Sequence, residues 1–179
     1  VSVHVALLRG INVGGKNKLP MKDLAAMFSD CGCEGVETYI QSGNVVFEAR
    51  AAIAERVPAA LGGAILERFG YRVPVVIRTA GELAAAARGN PFLAAGHDPD
   101  SLHVAFLANL PPKARAASLD VRRSPPDEFV FRGREVYLRL PNGVARTKLT
   151  NAYFDSTLGT TSTLRNWRTV GKLVELVER

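Results

Sequence analysis

Apolar and polar positions alternate in two different periods along the first eighty residues. Residues 3–9 (VHVALLR) form a nearly continuous apolar run, as a buried strand does. Residues 10–20 (GINVGGKNKLP) interrupt it with glycine, asparagine and lysine and read as a loop. Pro20 suits the first turn of a helix. Beyond it Leu24, Met27 and Phe28 recur at helical spacing until about Gly32. Residues 36–41 alternate as a second strand, Ser42-Gly43-Asn44 turns the chain, and 45–48 return as a third. An alanine-rich helix is expected over 51–69. A fourth strand is expected over 73–78, with Pro74 marking an edge position. The order is βαββαβ, the ferredoxin-like, split βαβ arrangement.

The second half is less regular. A helix over 81–88, a loop over 89–101, a strand over 102–108 and a short helix over 111–118 are expected. A hairpin follows at 128–131 and 135–140, turning at Arg132-Gly133-Arg134. A helix is read over 147–158. A last helix is read over 162–178, with Leu164, Trp167, Val170, Val174 and Val177 along one stripe. No internal repeat stands out, and the strands of this half are expected to extend or flank the first sheet. The expected fold class is α+β: an N-terminal ferredoxin-like subdomain over 1–80, with a second α/β subdomain over 81–179 packed against it.

Composition narrows the function classes. The chain has 179 residues, 47% of them hydrophobic, which suits one domain or two small subdomains sharing a core. With 22% charged residues it is neither disordered nor a coiled coil. No apolar run approaches the ~18 residues of a membrane span, and Val1 to Val5 lack the basic start of a signal peptide. A soluble, cytoplasmic protein without a membrane partner is expected. Cys31 and Cys33 are too few for a secreted disulfide scaffold, and His4, His97 and His103 are too scattered to supply metal-ligand spacing. Neither a metal nor a cofactor is expected, and nothing here fixes the oligomeric state. The net charge of +6 divides as +2 over residues 1–80 and +4 over 81–179. That excess permits nucleic acid or a phosphorylated small molecule as partner, without requiring either.

Topology gives the polar loops a reason to meet. In a split βαβ unit the chain leaves the first strand at its C-terminal end, descends through a helix and climbs back in the second strand. The loop after Arg9 and the turn after the second strand therefore sit at the same sheet edge. This groups Arg9, Gly10, Asn12, Gly14, Gly15, Lys16, Asn17 and Lys18 with Gln41, Ser42, Gly43 and Asn44 as one candidate ligand site. Gly10 to Lys16 satisfies the P-loop spacing, but Asn17 stands where a magnesium-binding hydroxyl belongs, and Pro20 delays the helix. NTPase chemistry is therefore not expected. What survives is an anion site, in which glycines let backbone N–H groups converge while Arg9 and Lys16 or Lys18 add charge. A secondary candidate lies near the last helix, where hydroxyls from Thr160 to Thr163 cap the helix start and Lys148, Thr163, Arg165 and Asn166 could meet an anion. Arg139, Arg146 and Arg168 extend it as a basic face. His97, Asp98 and Asp100 share an exposed loop with nothing to split their pKa values, and no nucleophile elbow appears.

The segments LLRGINVGGKNKLPM, TYIQSGNVVF, Asn90-Pro91-Phe92, TKLTNAYF and TSTLRNWRTVGKL resemble a family of small bacterial proteins, the domain of unknown function 1697. The resemblance covers nearly the whole chain. It implies an α+β fold with an N-terminal ferredoxin-like unit and a second α/β subdomain, and it implies no activity. The leading functional expectation is a binding protein for a phosphate-bearing ligand, nucleotide or nucleic acid, at the glycine-rich loop. RNA recognition on a sheet needs exposed aromatics, and only Tyr39 and Phe47 are candidates. The alternatives are a small-molecule enzyme using the same Arg/Asn/Gln-lined site, and an interaction module without a ligand.

Overall fold

The computed structural model describes residues 1–179. It is a mixed α/β protein with two four-stranded antiparallel sheets. The chain divides into two compact units, one of Val1–Ala85 with Leu173–Arg179 and one of Ala86–Lys172.

Unit 1 begins β1 (Ser2–Leu8), α1 (Met21–Asp30), β2 (Glu34–Tyr39), β3 (Asn44–Ala49), α2 (Ala51–Phe69) and β4 (Val75–Thr79). The helix α3 (Ala80–Arg88) then runs through the unit boundary. The strand order is β2-β3-β1-β4 with antiparallel neighbours throughout. β1 is apolar without alternation because both its faces are buried. Ala6 and Leu8 join a core with Phe28, Phe47, Val57, Leu61 and Ile65, while Val5 and Leu7, on the opposite face, are equally buried. Each such valine, leucine, isoleucine or phenylalanine side chain stabilises the fold by roughly 1.5–3 kcal/mol on burial. β4 lies at the sheet edge. Pro74 just precedes it and accepts the Arg9 N–H at 3.0 Å, so its missing donor costs the ladder nothing.

Unit 2 contains α4 (Pro91–Ala94), a 3-10 turn (Pro99–Ser101), β5 (Leu102–Leu107), α5 (Lys113–Ala117), β6 (Glu128–Arg132), β7 (Glu135–Arg139), α6 (Asn151–Leu158) and β8 (Ser162–Asn166). The helix α7 (Trp167–Val177) starts here and ends in unit 1. The strands form a sheet of their own, in the order β6-β7-β5-β8 and again antiparallel throughout. They do not extend the first sheet, because β5 finds both its neighbours, β7 and β8, within this unit. The segment 89–101 is not a bare loop either. Asn90 Oδ1 caps α4 by accepting from the Phe92 and Leu93 N–H groups, and Asp98 caps the 3-10 turn.

The two units repeat one design. Taken in chain order, the four strands of each sheet have the same arrangement, second-third-first-fourth. His4-Val5-Ala6-Leu7-Leu8 in β1 matches His103-Val104-Ala105-Phe106-Leu107 in β5. In register, His4 faces Thr79 and Val5 faces Arg78. His103 faces Asn166 and Val104 faces Arg165 in the same way. Arg78 and Arg165 are both buried, and each donates from Nη1 to the carbonyl of its preceding residue at 3.0 Å. Thr79 and Asn166 then start a helix with no intervening loop. Thr79 Oγ1 accepts from the Glu82 N–H while Glu82 reaches back to the Thr79 N–H, a capping box. Asn166 Oδ1 accepts from the Thr169 N–H at 2.8 Å.

This junction corrects the reading of 162–178 as one helix. Residues 162–166 are strand, so Thr163, Arg165 and Asn166 do not form the first turn of a helix. The buried side chains of the last helix are Thr169, Val170, Leu173, Leu176 and Val177, while Trp167 and Val174 are half-buried.

Candidate functional site

The glycine-rich loop and the β2–β3 turn meet. Asn12 supplies the join: its Oδ1 accepts from the Leu19 N–H at 2.8 Å, and its Nδ2 donates to the carbonyls of Leu19 at 3.0 Å and Gln41 at 2.9 Å. The Leu8 N–H donates to the Gly43 carbonyl at 2.8 Å. Gly43 is pressed so closely on β1 that a Cβ there would stand 2.7 Å from Leu8 Cβ and 3.0 Å from the Leu8 carbonyl oxygen. Its φ of +87° would strain any side chain besides. Only glycine fits, and the contact holds the turn against the loop.

The loop is fastened from within. The Asn12 N–H donates to the Asn17 carbonyl at 3.0 Å, the Lys16 N–H to the Val13 carbonyl at 2.9 Å, and Asn17 Nδ2 to the Gly10 carbonyl at 2.9 Å. Asn12 and Asn17 both take positive φ, 53° and 51°, which asparagine tolerates better than most residues. The Tyr71 hydroxyl reaches the carbonyls of Lys18 and Asn17 at 2.8 and 3.0 Å, and burial raises its pKa. Asn44 is fully buried and donates to Ser42 Oγ at 3.0 Å and to the Tyr39 carbonyl at 3.3 Å. The asparagines expected to orient a ligand thus orient the backbone.

A cavity of about 340 Å³ opens at the join, lined by Asn12, Gly15, Lys18, Leu19, Pro20, Met21 and Gln41. Gly10, Gly14, Lys16 and Asn17 are exposed on the loop around it, and Arg9 is half-buried at its start. Leu19, Pro20 and Met21 did not figure among the sequence candidates. They bring the start of α1, whose N-cap Pro20 makes no side-chain capping bond, so first-turn N–H groups remain available to an acceptor. A helix opening on proline with no Ser, Thr, Asp or Asn before it is the sequence signal for that. Asp23, in the same turn, is drawn toward Arg68 at 3.8 Å. Lys18 is the only titratable residue of the lining. The arrangement can hold an anion by a lysine and backbone N–H groups. It offers no acid–base pair.

The secondary candidates divide between buried and exposed positions, Lys148 and Asn166 being exposed. Arg165 is buried, and desolvation pushes its pKa down to about 10. Thr163 is fully buried. Lys148 is exposed in the segment before α6, where its N–H donates to Ser124 Oγ and its carbonyl accepts from Arg123 Nε. Arg139 pairs with Glu128 at 3.4 Å, so the expected basic face is broken up. The hydroxyls upstream serve other partners: Thr160 Oγ1 accepts from the Asn109 N–H at 3.1 Å, and Ser162 Oγ donates to Asp155 Oδ1 at 2.7 Å.

Cys31 and Cys33 are free thiols. Burial, with a contribution from Cys31, pushes the Cys33 thiol up to about 11, which removes it as a thiolate nucleophile near neutrality. No three His, Cys, Asp or Glu side chains converge as a metal-holding group. No helix is long and apolar enough to cross a membrane.

Comparison with curated proteins found no match. Among solved structures, the conserved bacterial protein SP0830 from Streptococcus pneumoniae is similar over 99% of both chains, with a TM-score of 0.67 and 22% identity. That likeness extends the shared fold across both units. The profile described as "Protein of unknown function (DUF1697)" matches residues 1–137. The chain therefore belongs to this family of proteins of unknown function.

Proposed function

We propose that the protein binds a small phosphate-bearing metabolite in the cavity between the glycine-rich loop and the β2–β3 turn. The observation that carries this reading is the convergence of Lys18, Gly15 and the uncapped start of α1 on one 340 Å³ space. Asn12 and Gly43 hold the two loops in place around it. Each unit is read as a ferredoxin-like module, supported by its order of strands and helices. A reducing bacterial cytoplasm suits the two free thiols.

A small ligand is favoured over nucleic acid. Phe47 is packed in the core against Phe28 and stacked with His4, so it offers no base-stacking platform, and Tyr39 is half-buried. Binding is favoured over catalysis, because the lining brings a single titratable group and acid–base chemistry needs two with separated pKa values.

The test is a thermal-shift screen over inorganic phosphate, nucleoside monophosphates, sugar phosphates and oligonucleotides, at low and physiological salt. At least one small phosphorylated compound raises the midpoint of the wild type, and Lys18→Ala loses most of that rise. An oligonucleotide response that collapses with salt would replace this reading with nucleic-acid binding. Silence across the screen leaves the interaction-module reading in its place.

A further inference from the structure

We propose that unit 2 carries a second, separate ligand site, for a planar aromatic or heteroaromatic ring bearing one anionic group. The site is a cavity of about 380 Å³ whose lining includes Pro99, Asp100, His103, Val144, Asn166, Trp167 and Arg168. All of these residues belong to unit 2.

Sheet topology assembles it. β5 is antiparallel to both β7 and β8, so the start of β5 and the ends of β7 and β8 lie at one edge. That edge brings together His103, the segment after β7 with Gly143 and Val144, and the β8–α7 junction. In unit 1 the cavity lies instead beyond the end of the first strand, β1. His103 and Asn166 are direct cross-strand partners, so their side chains share one face of the sheet.

The lining has a division of labour. Trp167, half-buried, Val144, half-exposed, and Pro99 supply apolar surface. Apolar walls with a few fixed polar groups are what ring-binding pockets use, and 380 Å³ falls in the lower part of the usual range of roughly 300–1,000 Å³. Asn166 is held by its Oδ1 on the Thr169 N–H, which leaves Nδ2 to donate. His103 is nine-tenths buried, and its Nδ1 makes no well-formed hydrogen bond. Desolvation lowers its pKa, and the Ser101 backbone offsets part of that, so at neutral pH the ring is an uncharged donor and acceptor. Arg168 completes the set. Its guanidinium is 3.3 Å from Asp100 Oδ1, with both side chains largely in solvent. Such a pair is worth little, so a ligand carboxylate or phosphate can take the place of Asp100 at small cost. A bare inorganic anion would leave the apolar walls wet, which is why a ring is specified.

Trp167 is the only tryptophan in the chain and lines this cavity, so its emission is the readout. The experiment titrates the full-length protein with adenosine 5′-monophosphate, nicotinate, adenosine and inorganic phosphate, corrected for probe absorbance. The expected result is a saturable emission change with at least one of the two anionic rings, about tenfold weaker binding of adenosine than of its monophosphate, and none with phosphate. Arg168→Ala should bring the monophosphate down to the level of adenosine, while Lys18→Ala leaves every curve unchanged. The proposal is overturned by flat emission with both anionic rings at millimolar concentration, or by an Arg168→Ala protein that titrates like the wild type. It is equally overturned by a response that Lys18→Ala abolishes, which would assign the binding to unit 1.

Discussion

Units 1 and 2 share a strand order and matched His-Val-Ala segments and buried arginines, yet they differ in charge. Unit 1 contains ten basic and ten acidic residues, whereas unit 2 contains thirteen basic and seven acidic, so the whole net charge of +6 belongs to unit 2. They differ also in which sheet edge is elaborated. In unit 1 the chain spends twelve residues, 9–20, between β1 and α1 and builds a fastened loop with a cavity. In unit 2 the corresponding link, 108–112, is five residues long, and the cavity lies by the start of β5 instead. The lesson is that the repeated frame carries stability, whereas the edges carry whatever distinguishes the units chemically.

The sharpest way to break the comparison is at the matched hairpin turns. Gly43→Ala forces a Cβ into Leu8 at a φ of +87° and should cost about 3 kcal/mol or more. Gly133, in the turn between β6 and β7, has a φ of +60° and nothing nearer than Glu135 Oε2 at 4.0 Å. Gly133→Ala should therefore cost only about 1 kcal/mol, from backbone strain alone. Urea denaturation of the two variants measures the difference, and equal losses would mean that the turns are held alike.

A smaller effect is expected from the links after β1 and β5. Asn12→Ala removes three hydrogen bonds to two segments and should cost about 2 kcal/mol. Thr160→Val removes one acceptor, for the Asn109 N–H, and should cost about 1 kcal/mol. Thermal melts in which the second loss matched the first would contradict the view that the unit 1 loop is the more heavily fastened of the two.

The smallest effect is one of pH. His103 has a folded-state pKa lowered from 6.5 by burial. The unfolded chain therefore takes up a proton that the folded chain resists. Stability is complete above about pH 6.5 and falls as pH drops from there toward the folded value, by at most about 1.4 kcal/mol per pH unit for one proton. Denaturation midpoints followed from pH 7.5 down to 5.5 should show this decline in the wild type and a shallower one in His103→Phe. Parallel pH profiles would show that other groups account for it.

Much of this architecture is legible in the residues, and the parts that are not have physical reasons. β1, α1 and α2 announce themselves by an apolar run and by helical spacing between clear breakers. The meeting of Gln41–Asn44 with the Arg9–Lys18 loop follows from topology, and Asn12 and Gly43 realise it. The role of the asparagines does not follow, because an amide that fastens backbone and one that greets a ligand are the same residue in a sequence. β8 was hidden because Asn166 ends the strand and caps the helix at once. With no turn residue between them, Leu164, Trp167 and Val170 keep helical spacing through a strand. The repeat was hidden because it survives in one five-residue segment and two arginines, while the links and helices around them differ in length.

The assignment of Leu173–Arg179 to unit 1 bears on the order of events during synthesis. Unit 2 is contiguous, so every residue it needs has been made by Lys172. Unit 1, although its strands leave the ribosome before those of unit 2, lacks Leu173, Leu176 and Val177, which are buried in the finished protein, until after unit 2 has been translated. The N-terminal unit is thus the last to be completed, and a premature stop after residue 172 would damage the part of the protein farthest from it in sequence.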